Sequence, residues 1–173
     1  MGLGVEHILT GYDHLVFLAC LLMAGGSTRS LVGIVSAFTV AHSVTLVLAA
    51  TRVVTPPAEF VEPAIAISIA YVAIENLVAD PGRSRWATAF GFGLIHGFGF
   101  AGTLDMLGLP LGQWLAAVLA FNIGVEIGQL AVVAIALPLV IAIARSSWHV
   151  RIVRYASSAV LGLAVFWFVE RLQ

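Results

Sequence analysis

Six stretches of this chain are apolar over lengths that suit a bilayer, and several of them are interrupted by histidine or carboxylate. A helix needs about 20 residues to cross the ~30 Å hydrocarbon core of a membrane. The stretches at roughly 5–24, 31–51, 61–79, 86–104, 112–142 and 152–170 are close to or beyond that length. In lipid every backbone N–H and C=O must be satisfied within its own segment, so the expected fold class is all-α. The chain reads as a polytopic transmembrane helix bundle of six spans, a single domain over residues 1–173. Hydrophobic residues make up 61% of it, well above the about 45–50% of a soluble domain. No basic tract points to nucleic acid, and the single Cys20 excludes an intramolecular disulfide. The N-terminus lacks the positively charged region of a signal peptide, so a complete chain would insert through its first helix. The expected location is the bacterial inner (plasma) membrane, crossed several times.

Turn signals separate the spans: Gly25-Gly26-Ser27, Thr55-Pro56-Pro57, Asp80-Pro81-Gly82, Gly108-Leu109-Pro110 and Arg145-Ser146-Ser147. The fifth span is long enough to tilt, and Pro138 is placed to bend it. In the first span the uninterrupted apolar part, Leu15 to Ala24, has ten residues, a rise of only about 15 Å. To cross, this helix must carry His7, Thr10, Asp13 and His14 to or below the interface, where they need protein or water around them. The alternative is that residues 1–12 form an interfacial helix outside the lipid.

Arginine orients the bundle. With six spans, the first, third and fifth loops share one side and hold Arg29, Arg83, Arg85, Arg145, Arg151 and Arg154. The other side has only Arg52 and Arg171. This asymmetry predicts an N-out, C-out bundle. Trp86, Trp114 and Trp148 fall near span ends, where interfacial anchors belong.

The polar residues inside the spans carry the functional reading. A carboxylate at the bilayer centre costs roughly 2.5–3.5 kcal/mol on the most lenient scale, so such groups usually face a cavity or one another. His42 lies eleven residues into the outward-running second span and His96 ten into the outward-running fourth, near the midplane. His14 reaches similar depth from outside, Glu126 is central in the fifth span, and Glu62 opens the third on the outer side. On a continuous helix His7, Thr10, Gly11 and His14 form one stripe, and Asn122, Glu126 and Gln129 form another. Gly93 and Gly97 are four apart, as are Gly124 and Gly128, a spacing that lets helix backbones approach. Close approach would bring Asp13 and Asn122 within reach of one metal.

Imidazole with carboxylate suits a divalent transition metal: Ni, Zn, Co, Cu or Fe. Asp13, Ser43 and Asn122 are candidates to orient the imidazoles. The plainer alternative is a set of interhelical hydrogen bonds; three histidines and two carboxylates at matching depth favour a metal or proton-coupled site. Glu75, thirteen residues after Glu62 and nearer the cytoplasm, is either an exit-path ligand or a hydrogen-bonded carboxylate. His149, among Arg145, Trp148 and Arg151, reads as interfacial, and Glu59 and Asp105 as loop charges. Phe38-Thr-Val-Ala-His42-Ser43 echoes Phe92-Gly-Leu-Ile-His96-Gly97, and a Val-Glu pair follows each on the next span. A weak parallel repeat and convergent ligand placement both explain the echo.

Four motifs in order carry a resemblance. His7-Ile-Leu-Thr-Gly-Tyr-Asp13-His14, Phe38-Thr-Val-Ala-His42-Ser43, Phe90-Gly-Phe-Gly-Leu-Ile-His96-Gly-Phe-Gly-Phe100 and Phe121-Asn-Ile-Gly-Val-Glu126-Ile-Gly-Gln129 resemble the HupE/UreJ family of bacterial membrane proteins. The resemblance runs from about residue 4 to 135, and the last span matches only by hydrophobicity. Family members are associated with hydrogenase and urease gene clusters and are regarded as nickel or cobalt permeases. The resemblance therefore implies His7, Asp13, His14, His42, His96 and Glu126 as metal residues. Glu62, Glu75, Ser43, Asn122 and Gln129 stand beside them as supporting or path residues. Many relatives carry a signal peptide or periplasmic domain before this region; here the chain starts almost on the first motif, as a minimal or trimmed form would.

The expected function is a transition-metal permease with nickel as cargo, entering by His7 and Glu62, binding at the central cluster and leaving past Glu75. The alternative is an intramembrane metal-dependent hydrolase, with three histidines around zinc and Asp13 or Glu126 as general base. A third reading is a metal sensor or structural subunit. A permease needs ligands below the site, where Glu75, Ser68 and Tyr71 are available; a hydrolase needs a closed floor, which the apolar cytoplasmic half offers. Expected partners are the metal ion and the lipid bilayer, with no nucleic acid and a homo-oligomer left open.

Overall fold

The computed structural model describes residues 1–23, 27–78, 85–99 and 111–173. Among them the chain is all-helical with no strand. Its helices are α1 (Gly2–Thr10), α2 (Tyr12–Met23), α3 (Thr28–Ala50), α4 (Ala58–Val78), α5 (Trp86–Phe98), α6 (Leu111–Arg145) and α7 (His149–Glu170). The turn signals at Gly25-Gly26, Asp80-Pro81-Gly82 and Gly108-Leu109-Pro110 lie outside the described residues, as do Arg83, Asp105 and the side chain of Trp114. Trp86 and Trp148 are exposed at the starts of α5 and α7.

By length and composition α3, α4, α6 and α7 can each cross a bilayer, and α1 with α2 makes a fifth crossing if counted as one broken span. The fourth expected span, 86–104, is described as a helix of 13 residues. That is a rise of about 20 Å, short of a crossing. Gly99 closes this helix, its N–H donating to the His96 carbonyl at 3.1 Å. The six-span count is therefore not reached among the described residues. At the other extreme α6 has 35 residues and continues through Pro138. Its rise of about 52 Å exceeds the hydrocarbon core, so it overhangs or tilts.

The first expected span is not one straight helix. It breaks at Gly11, and α1 and α2 meet at 72°. The Gly11 N–H still donates to the His7 carbonyl at 2.8 Å. A Cβ on Gly11 would lie 2.6 Å from that carbonyl oxygen and 3.0 Å from His14 Nδ1. The elbow thus closes on a residue without a side chain. The predicted single stripe is replaced by two helices whose histidines meet across the bend.

Small residues set the helix pairs. α1 lies along the middle of α6, with Gly4 against the Phe121 carbonyl, Gly124 against the Met1 carbonyl and Gly128 against Ile8. α5 runs parallel to α3, with Gly93 on Phe38 and Ala41, and Gly97 on His42 and Thr45. α6 is antiparallel to α3, as its polar pairs require: Thr39 donates to Gln129, and Ser43 donates to Asn122 Oδ1 at 2.8 Å. α7 packs on α4 and buries Ala164 in the main core, with Phe17, Leu21, Phe38, Ile69 and Val72.

Candidate metal centre

Four histidines from four helices meet at one place. His7 and His14 face each other across the elbow with ring centroids 4.7 Å apart. His42 of α3 is 5.5 Å from His14 and 6.1 Å from His7. His96 of α5 is 5.1 Å from His14. One ring nitrogen each from His7, His14 and His42 lies within 4.8 Å of the others. The close α3–α5 contact at Gly97 explains why His42 and His96 arrive together. The Gly11 elbow explains why α1 adds His7.

These rings are shut away from solvent. His42 and His96 are 0% exposed and His14 8%. His14 Nε2, both nitrogens of His42 and His96 Nδ1 are buried with no hydrogen-bond partner among the described residues. Each such orphan costs about 1–3 kcal/mol. The grouped nitrogens of His7, His14 and His42 have the spacing of a ligand set, so these three residues fit a metal ion, with the ring of His96 beside them at 5.1 Å from that of His14. The donors are nitrogens, since the lone thiol, Cys20, is buried elsewhere in the main core. Imidazole donors of this kind suit Ni, Zn, Cu or Fe.

An aromatic layer lies next to the rings. Phe17, Phe38 and Phe92 each sit one helical turn from His14, His42 and His96 respectively, all displaced toward the same end of the bundle. Phe17 is 5.3 Å from Phe38 and 6.0 Å from Phe92. Phe38 stacks on His42, centroids 5.9 Å apart at 23°. Ile69, Val72 and Ala73 of α4 complete this buried cluster.

The carboxylates are placed differently from the sequence expectation. Asp13, beside His14, receives Arg171 Nη2 on both oxygens at 3.0 and 2.9 Å. Arg171 also donates to the Glu62 carbonyl at 3.1 Å, so one guanidinium joins the starts of α2 and α4 to the chain end beyond α7. The Glu62 side chain itself is exposed. Glu126, expected among the ligands, is exposed on the outer face of α6, so this geometry does not bring it to the histidines. The face of α6 that turns inward carries Phe121, Val125 and Gln129 instead. Glu75 is buried at the far end of α4, 3.8 Å from Arg85 Nε. Arg85 also donates to Asn76, whose Nδ2 donates to the Cys20 carbonyl at 2.9 Å. Ser43, Asn122 and Gln129 join α3 to α6 rather than pointing a hydrogen bond at an imidazole. His149 lies at the start of α7, beside the Arg151–Trp148 cation–π contact.

Two contributors were not recognised in the sequence as part of the site. Arg171 entered only in the count of arginines on the arginine-poor side, and nothing local marks it as the partner of Asp13. Ser68, read as a path residue, lies 2.8 Å from His96 Nε2. The phenylalanine layer did leave a trace, since Phe-x-x-x-His occurs in both echoed motifs.

Long apolar helices around a buried imidazole cluster define an all-helical membrane protein with a candidate metal centre. The family model described as HupE / UreJ protein matches residues 1–171, and the chain belongs to that family. The match includes α7, beyond the residue-135 limit of the motifs. No curated protein and no solved structure matches the chain.

Proposed function

We propose that this protein moves a divalent transition-metal ion, with nickel as the expected cargo, across the bacterial inner membrane through a centre made by His7, His14, His42 and His96. One observation carries the reading: imidazole nitrogens from three helices lie within 4.8 Å of one another, in a buried setting. Metal–nitrogen bonds are about 2.0–2.1 Å, so donors on opposite sides of an ion are about 4 Å apart. Small ring rotations would close this cluster on an ion. The resemblance to permeases that handle nickel or cobalt supports transport as the use of the site.

The proposed orientation has six spans and both ends outside, supported by the arginine asymmetry. The contact of Arg171 with Asp13 and Glu62 is consistent with it, because an even number of crossings returns the chain end to the side where α2 and α4 begin. An ion arriving from that side meets the Asp13–Arg171 pair first. Leaving inward, it must pass the Phe17–Phe38–Phe92 layer and the Glu75–Arg85 pair.

That closed floor also favours a second reading, an intramembrane hydrolase with zinc held by the same histidines. Proteoliposomes separate the two. A permease takes up radioactive nickel down its gradient and loses that uptake in His42→Ala. A hydrolase holds one chelator-resistant zinc and moves no nickel, and that result would overturn the transport reading.

A further inference from the structure

The two ring nitrogens of His96 have different surroundings. Nε2 lies 2.8 Å from Ser68 Oγ, whereas Nδ1 is buried with no hydrogen-bond partner. Ser68 is fully buried on α4, and its Oγ is also 2.6 Å from the Ile65 carbonyl oxygen in the preceding turn. A carbonyl oxygen only accepts, so the single Ser68 proton belongs to that contact. If the proton turned to His96 instead, two oxygen lone pairs would face each other at 2.6 Å in a low-dielectric interior. Ser68 Oγ is therefore the acceptor and His96 Nε2–H the donor. In a neutral imidazole a proton on one nitrogen leaves a lone pair on the other.

We propose that Ser68 is a positioning residue that holds His96 in its Nε2–H tautomer and thereby leaves the bare Nδ1 to join, as a further metal ligand, the nitrogens of His7, His14 and His42 that already lie within 4.8 Å of one another. The inference rests on the metal-site reading above. Two ring contacts keep the imidazole plane in place: Phe17 at 4.8 Å and Phe38 at 5.3 Å. The imidazole lone pair is thus oriented before an ion arrives. Partners of this kind behind a ligand are worth about 10–100-fold in metal affinity.

Nitrogen-15 NMR of the full chain, labelled at histidine and held in lipid nanodiscs, reads the tautomer without any metal. The His96 resonances are identified by their loss in His96→Gln. The expected wild-type state is Nε2–H alone, with Zn²⁺ then shifting Nδ1. Ser68→Ala should give a mixture of tautomers and weaken Zn²⁺ binding about 10–100-fold. Ser68→Thr, which keeps a hydroxyl, should restore both. A wild-type His96 protonated at Nδ1, or a Ser68→Ala protein with unchanged tautomer and affinity, overturns the proposal. A protein with the Nε2–H tautomer that binds neither Zn²⁺ nor Ni²⁺ overturns the metal reading, and with it the ligand role of Nδ1, while leaving the hydrogen-bond assignment standing.

Discussion

Gly97→Ala should dismantle the metal centre while leaving the helices folded. At Gly97, α5 comes close enough to α3 that an added Cβ would press on the His42 carbonyl oxygen and Thr45 Oγ1, and would lie 3.1 Å from the His42 carbonyl carbon. The Thr45 hydroxyl can turn aside, although it now donates to the Ala41 and His42 carbonyls. The His42 carbonyl cannot, because it belongs to the α3 backbone. Restoring ordinary contact distances requires the two helices to part by about 1 Å. Such overpacking costs about 1–3 kcal/mol, and Ala recovers about 0.5–1 kcal/mol of helix propensity over Gly. The net loss of stability is modest. The loss at the site is not, because His96 precedes Gly97 and His42 supplies the displaced carbonyl, so the two imidazoles separate with the helices. Metal–nitrogen bonds of about 2.0–2.1 Å tolerate about 0.2 Å. Equilibrium dialysis against Ni²⁺ or Zn²⁺ should show at least a tenfold weaker site, with a helical circular dichroism spectrum retained. Gly91→Ala is the control: a Cβ there meets nothing within 4 Å, so binding should be unchanged. A Gly97→Ala protein that binds metal with wild-type affinity would refute the reasoning that the α3–α5 contact holds the centre together.

Removing single imidazoles gives a second expectation. His14→Ala, His42→Ala and His96→Ala should each lose stoichiometric metal by elemental analysis, and His149→Ala should keep it; retention in the first three would make them structural histidines. Metal should leave on acidification, because protons compete for imidazole lone pairs; dialysis at each pH reads this, and binding that persists in strong acid would contradict imidazole ligation. The Asp13–Arg171 pair, with side chains 24% and 18% exposed, stands between a surface and a buried ion pair. A double-mutant cycle of Asp13→Asn and Arg171→Gln, read from unfolding in detergent, should give a coupling of about 1.5–3 kcal/mol, and a value near zero would mean that solvent screening dominates. A reporter active only in the cytoplasm should work when fused after Arg85 and stay silent at the C-terminus; cytoplasmic signal at the C-terminus would reverse the orientation.

The elements that were readable in advance are those that depend on neighbours along the chain. α3, α4, α6 and α7 appear close to the predicted stretches, since an apolar run of bilayer length has no other way to satisfy its backbone. The rings of His14, His42 and His96, placed on separate segments, meet in space. Gly93, Gly97, Gly124 and Gly128 also lie at helix contacts, as their spacing suggested.

Azimuth and partnership were not readable. Asn122, Glu126 and Gln129 share a stripe on paper, yet Gln129 is buried against Thr39 while Glu126 faces outward. Which edge of that stripe turns inward depends on how α1 and α3 pack against α6, a contact between segments far apart in sequence. The elbow at Gly11 is of the same kind. Glycine permits a straight helix or a bend, and the packing of α1 along α6 takes the bend. Asp13 and Arg171 are separated by nearly the whole chain, so only the docking of α7 on α4 can join them. Helix class and donor chemistry follow from local sequence, because an apolar run of bilayer length must satisfy its own backbone and the donors are a matter of residue type. The tertiary structure decided which donors face one another and which acid is neutralised by which arginine, because rotation about a helix axis and pairing across the bundle are set by side-chain packing between helices.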